Sequence, residues 1–88
     1  MPEIRVKIAS SVGLHARPAS VFVKAAAKHS GEVLIGRPGT EPVDARSMLS
    51  VLSLAIGHGE EVVLRTDGEN ADAALTELSR LLVTDLDA

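Results

Sequence analysis

Apolar and charged residues alternate along Ile4-Arg5-Val6-Lys7-Ile8, the periodicity of a strand with one covered and one wet face. Ser10 to Gly13 breaks the alternation and reads as a loop. From Ala16 the period lengthens: Ala19, Phe22, Val23, Ala26 and Ala27 recur at helical spacing. Lys28 and His29 suit the negative end of that helix, and Gly31 a stop just beyond it. Glu32 to Ile35 reads as a second strand and Thr40 to Val43 as a short third one, with a tight turn at Pro38-Gly39 between them. Pro42 has no N–H to give to a ladder, so the third strand belongs at a sheet edge.

Ser47 to Ala55 is apolar with serines at 47, 50 and 53, and Gly57 and Gly59 close it. This spacing predicts a short second helix capped by Ser47. Glu61 to Thr66 is a fourth strand, Asp67-Gly68 a turn, and Asn70 a cap for a last helix. Ala74, Leu75, Leu78, Leu81 and Leu82 form one apolar stripe on that helix. The predicted order is β-α-β-β-α-β-α in one domain spanning residues 1–88. A mainly antiparallel sheet with all three helices on one face covers every apolar stripe, giving an open-faced α/β (α+β) sandwich. The pattern leaves strand order open.

A chain of 88 residues buries about 60–65% of its unfolded surface, which leaves little volume for a deep pocket. Chemistry is therefore expected on the surface. The absence of cysteine excludes disulfides, thiolate metal sites and thiol nucleophiles. The N-terminus is charged and alternating, unlike a signal peptide, and no apolar run approaches the roughly 20 residues that span a bilayer, so a cytoplasmic location is expected. A net charge of −3 with interspersed signs, and Phe22 as the only aromatic residue, argue against a nucleic-acid surface. His29 and His58 stand far from each other and from His15, so no metal site is expected.

Gly13-Leu14-His15-Ala16-Arg17-Pro18-Ala19 carries the chemistry. Pro18 is tolerated only in the first turn of a helix, so the helix begins near Ala16. His15 and Ala16 stand where Ser, Thr, Asp or Asn would cap it, which leaves the first N–H groups to water or an anion. Arg17 has the wrong sign for the helix dipole, a cost of about 0.3–1 kcal/mol at an exposed site. Both violations make sense if the site holds phosphate: free amides and the dipole bind anions, and a guanidinium forks onto their oxygens. Neutral imidazole is nucleophilic near pH 7, which makes His15 the candidate acceptor.

These seven residues resemble the active-site signature of HPr, the histidine-containing phosphocarrier family of the bacterial sugar phosphotransferase system. Length, element order and the segment Arg46 to Leu54 extend the resemblance over essentially the whole chain. It implies an open-faced β-sandwich of four antiparallel strands and three helices. It also implies that His15 takes a phosphoryl group on Nδ1 from phosphorylated enzyme I and passes it to the IIA domain of a sugar permease. Arg17 matches the family's active-site arginine, with the Ala16 amide and Pro18 completing the helix start. The resemblance implies a carrier rather than a stand-alone enzyme, with no cofactor and no metal.

Ser47 aligns with a serine that a dedicated ATP-dependent kinase phosphorylates in many Gram-positive bacteria, although it would serve equally as a plain helix cap. Met48, Leu49 and Leu52 correspond to the family's apolar docking patch, and Met48 and Leu49 are expected to face outward. A transient patch of this kind goes with a monomer that neither enters a membrane nor binds nucleic acid. The chain departs from the family at Val12, where many members carry a polar residue, and in its proline-rich arm 38–42. Two other readings compete: an HPr-like regulatory module that docks regulators through the Ser47 helix, and a ferredoxin-like ligand- or RNA-binding domain. The acceptor-type histidine speaks against the first, and the charge and lack of aromatics against the second.

Overall fold

The computed structural model of the protein describes residues 2–11 and 13–84. Val12, one of the two departures noted above, lies outside them. The described residues form β1 (Glu3–Lys7), α1 (Ala16–Ala27), β2 (Val33–Gly36), β3 (Val43–Asp44), α2 (Met48–Ser53), β4 (Glu61–Thr66) and α3 (Ala71–Leu82), in that order. The strands make one antiparallel sheet in the order β1-β4-β2-β3. The edge strands are therefore β1 and the two-residue β3, and β4, the last strand in sequence, lies between β1 and β2.

Period-two alternation sorts the sheet into two faces. Val33, Ile35, Val62, Leu64 and Thr66 point inward and are fully buried. Phe22 and Ala26 of α1, Val51 of α2 and Leu75 and Leu78 of α3 close over them into one core. On the other face Glu3 lies opposite Arg65 and pairs with it at 3.1 Å, and Arg5 reaches Glu61 at 3.4 Å. That face carries charge and stays bare, so all three helices share the remaining one.

Local departures from the sequence reading have physical causes. The third strand begins at Val43 rather than Thr40, because Pro42 cannot pair and instead packs against Gly36, whose missing Cβ would stand 3.0 Å from the Pro42 Cα. The strand does lie at the sheet edge. Gly31 does not stop α1, which ends at Ala27 with Lys28 as a right-handed cap. Gly31 instead lets the Asp67 loop approach, since a Cβ there would meet the Asp67 carbonyl at 2.5 Å. At the end of α2 the left-handed residue is Ala55 (φ 52°), not Gly57. Asn70 occupies the N-cap position of α3 without a side-chain capping bond.

Candidate functional site

The approach to α1 is fixed by two backbone bonds and one buried side chain. Gly13 has φ +71° and donates to the Ser10 carbonyl at 3.0 Å. A Cβ at this position would collide with the carbonyl of Ile56 and stand 2.8 Å from the Gly57 Cα, so only glycine fits. Leu14 is buried to 3% exposure, and its N–H donates to the Ile56 carbonyl at 3.0 Å. The loop is thus pegged into the core one residue before the helix and seated on the segment that follows α2.

His15 then stands at the N-cap position in an extended conformation (φ −85°, ψ −169°), exposed, and its side chain makes no capping bond. Its carbonyl accepts from the Ala19 N–H at 2.9 Å, closing the first helical turn. Ala16 and Arg17 are exposed and Pro18 is fully buried beneath them. Among the described residues, the Ala16 and Arg17 amides have no acceptor and the Arg17 guanidinium has no carboxylate partner. No acidic residue occupies the first turn. Free N–H groups, the positive end of a three-turn helix and an unpaired guanidinium converge at one exposed place, an arrangement suited to a multivalent anion.

The three histidines differ in what their rings do. The Nε2 of His29 lies 2.9 Å from the Asp67 carbonyl, and the Nδ1 of His58 lies 3.0 Å from the Ser10 carbonyl. Among the described residues the His15 ring has no such partner, so its nitrogens remain available to an incoming atom.

Ser47 caps α2, its Oγ accepting from the Ser50 N–H at 3.3 Å. Leu49 is 83% exposed and Leu52 is 37% exposed. Met48, expected to face outward, is half-buried and packs against the core. Helical phase sets Met48 beside Val51, three residues on and buried, whereas Leu49 lies about 100° round the helix and points outward; Leu52, four residues on from Met48, falls between Met48 and Leu49.

Sequence reasoning missed Arg37 and Glu60. Arg37 donates from Nε and Nη2 to the two Glu60 carboxylate oxygens at 2.9 and 3.1 Å, and from Nη1 and Nη2 to the Leu54 and Ala55 carbonyls at 2.7 and 3.3 Å. The Glu60 Oε2 also accepts from the Gly57 N–H at 2.5 Å. The hydrogen bond from Arg37, followed by that from Gly57, holds the Glu60 carboxyl below its usual range. In return Glu60 raises Arg37 further. No periodicity or motif announces this pair, whose members lie 23 residues apart.

Fold and site together define a class: a small open-faced sandwich that presents an unpartnered histidine and an arginine at an uncapped helix start. The family model described as the PTS HPr component phosphorylation site matches residues 2–84. The chain is 47% identical over 87 residues to the phosphocarrier protein HPr of Streptomyces coelicolor, covering 99% of this chain and 94% of that one. The solved structure of HPr-C-His from Thermoanaerobacter tengcongensis superposes with a TM-score of 0.87 at 33% identity, covering 93% and 91% of the two chains. A structure of Bacillus subtilis Crh, a catabolite repression protein described as a dimer with a swapped domain, matches with a TM-score of 0.71 at 34% identity over 93% of each chain. The chain belongs to the HPr family, the phosphocarriers of the phosphotransferase system.

Proposed function

We propose that His15 is the phosphoryl acceptor and donor of this protein. The observation that carries this reading is the free imidazole of His15 beside the unpaired Arg17 at a helix start with unsatisfied amides. The Nδ1 lone pair forms a bond to phosphorus while the donor's bond to phosphorus breaks, and the transferred oxygens move toward Arg17 and the Ala16 amide. Their charge is met by groups already in position, so little reorganisation accompanies transfer. Pro18 fixes the start of the helix that supplies those amides. The same contacts serve the reverse step, in which an acceptor protein's nucleophile takes the group from His15.

The partners in this reading are enzyme I as donor and the IIA domains of sugar permeases as acceptors. Leu49 and Leu52 form the outward apolar face of α2 on which both would dock, with Met48 supporting that face from beneath. We place the chain in the cytoplasm, acting as one domain over residues 1–88 and as a monomer without metal or cofactor. Among the described residues, no helix is long and apolar enough to cross a membrane.

Ser47 supports a second, regulatory role, with a kinase or a regulator as the partner. It stands at the N-cap of the helix that bears Leu49. A phosphate there would replace a hydroxyl cap and set negative charge beside an apolar docking face.

The test is mass spectrometry after incubation with enzyme I and phosphoenolpyruvate, with His15→Ala in parallel. One acid-labile phosphoryl group on the wild type and none on the variant is expected. An unmodified wild type, with an enzyme I active on another carrier, would overturn the carrier reading in favour of the regulatory one.

A further inference from the structure

Arg37 and Glu60 lie outside the helix start, yet the hydrogen bonds of their side chains converge on the turn that seats it. Arg37 follows β2 directly and folds back over the end of α2, where its guanidinium holds the Leu54 and Ala55 carbonyls. Ala55 sits in the left-handed region at φ 52°, a conformation that an alanine keeps only when its surroundings impose it. The same guanidinium forks onto Glu60, and Glu60 holds the Gly57 N–H. The segment so gripped, 54–57, supplies the Ile56 carbonyl to Leu14 and the backbone surface against which Gly13 is pressed.

We propose that Arg37 and Glu60 are positioning residues for His15: their forked pair sets the shape of the 54–57 turn, and that turn seats the 13–15 loop from which the imidazole projects. The inference rests on the carrier reading and extends it, because the turn also ends α2, the helix that carries Leu49 and Leu52. A partner bound on α2 thereby meets a histidine whose placement is referenced to the same short stretch of backbone. Both side chains are more than one-third exposed, and exposed ion pairs add little stability. The bidentate geometry and the backbone carbonyls and amide at its ends give this one a directional role instead.

The experiment compares Arg37→Ala, Glu60→Ala, their double variant and Arg37→Lys, with Arg5→Ala as a control that breaks an ion pair on the bare face. Amide spectra and hydrogen exchange follow Leu14 and Gly57, ring-nitrogen resonances follow His15, and quenched-flow kinetics follow acceptance from phosphorylated enzyme I. Each single variant is expected to speed Leu14 exchange, to shift the His15 ring resonances and to lower kcat by about tenfold, with KM within about twofold. The double variant is expected to be no worse than the worse single one. Arg37→Lys keeps the charge without the fork and is expected not to rescue, whereas Arg5→Ala matches the wild type. Folded single variants with unmoved Leu14 and His15 resonances, or with additive effects, overturn the proposal. If the wild type accepts no phosphoryl group, the carrier reading fails while the resonances still decide the positioning role. If it accepts and the variants match it in rate, the positioning role fails alone.

Discussion

Imidazole rings at the surface of this protein are used in two ways. His29 and His58 meet backbone carbonyls and help fasten loops, whereas His15 is left without such a bond among the described residues. Its neighbours show the same release from structural duty. Arg17 opposes the helix dipole and pairs with no described carboxylate, and the cap position lacks a capping side chain. Arg17→Ala should therefore separate activity from stability. Phosphoryl acceptance is expected to slow by about ten- to a hundredfold, while the thermal midpoint holds or rises slightly as an unfavourable charge leaves the helix start. Parallel transfer assays and melting curves check this, and an unchanged rate would remove Arg17 from the site. His15, Arg17 and Pro18 were legible in the sequence because each breaks or obeys a rule about helix starts within a few residues. Arg37 was not, because its partners are brought to it only by the folded chain.

Elements obey the same division between near and far. Alternation located β1, and the 3.6-residue stripe located α1 and α3, because each period repeats within the element. The six residues of α2 complete fewer than two turns, too few for the sequence alone to fix which side faces inward, and Met48 lies half-buried where Leu49 is exposed. A glycine is the usual sign of a left-handed residue after a helix, and here Ala55 holds that conformation. The β2–β3 arm is tied to this region by charge, and that tie depends on pH. The folded protein holds Glu60 below the ordinary value of 4.5, so its contribution is complete above that value and is lost as pH falls through the lower, folded one. Asp44 behaves likewise, held down first by the Arg46 amide and then by its side chain. In an acid titration followed by NMR, the Gly57 amide is expected to report a midpoint below 4.5. Glu60→Gln is expected to abolish that step and flatten the corresponding part of the stability–pH curve.

At the scale of the whole molecule, one layer of helices covers one face of the sheet, and the described core gathers around Phe22. Phe22→Ala should cost about 3–5 kcal/mol, a large share of the roughly 5–15 kcal/mol that holds a domain together. Leu49→Gln touches no core atom at 83% exposure, so its stability should stay within about 0.5 kcal/mol. The same change should raise the KM for phosphorylated enzyme I without altering kcat, since it removes apolar contact made before and during transfer alike. Melting curves and saturation kinetics on the two variants distinguish them. A fall in kcat alone for Leu49→Gln would place Leu49 in the chemistry rather than in docking.

The outward leucines of α2 and the histidine at the start of α1 belong to separate stretches of sequence, and Leu49 and Leu52 face away from the core that Leu14 and Val51 share. The consequence is evolutionary. If docking runs through α2 and transfer through His15, a lineage can drift at positions 49 and 52, acquiring or losing clients, while the 13–15 loop stays under its own constraint. Gene duplication followed by divergence on that one helix is then enough to turn a common currency of phosphate into several private circuits.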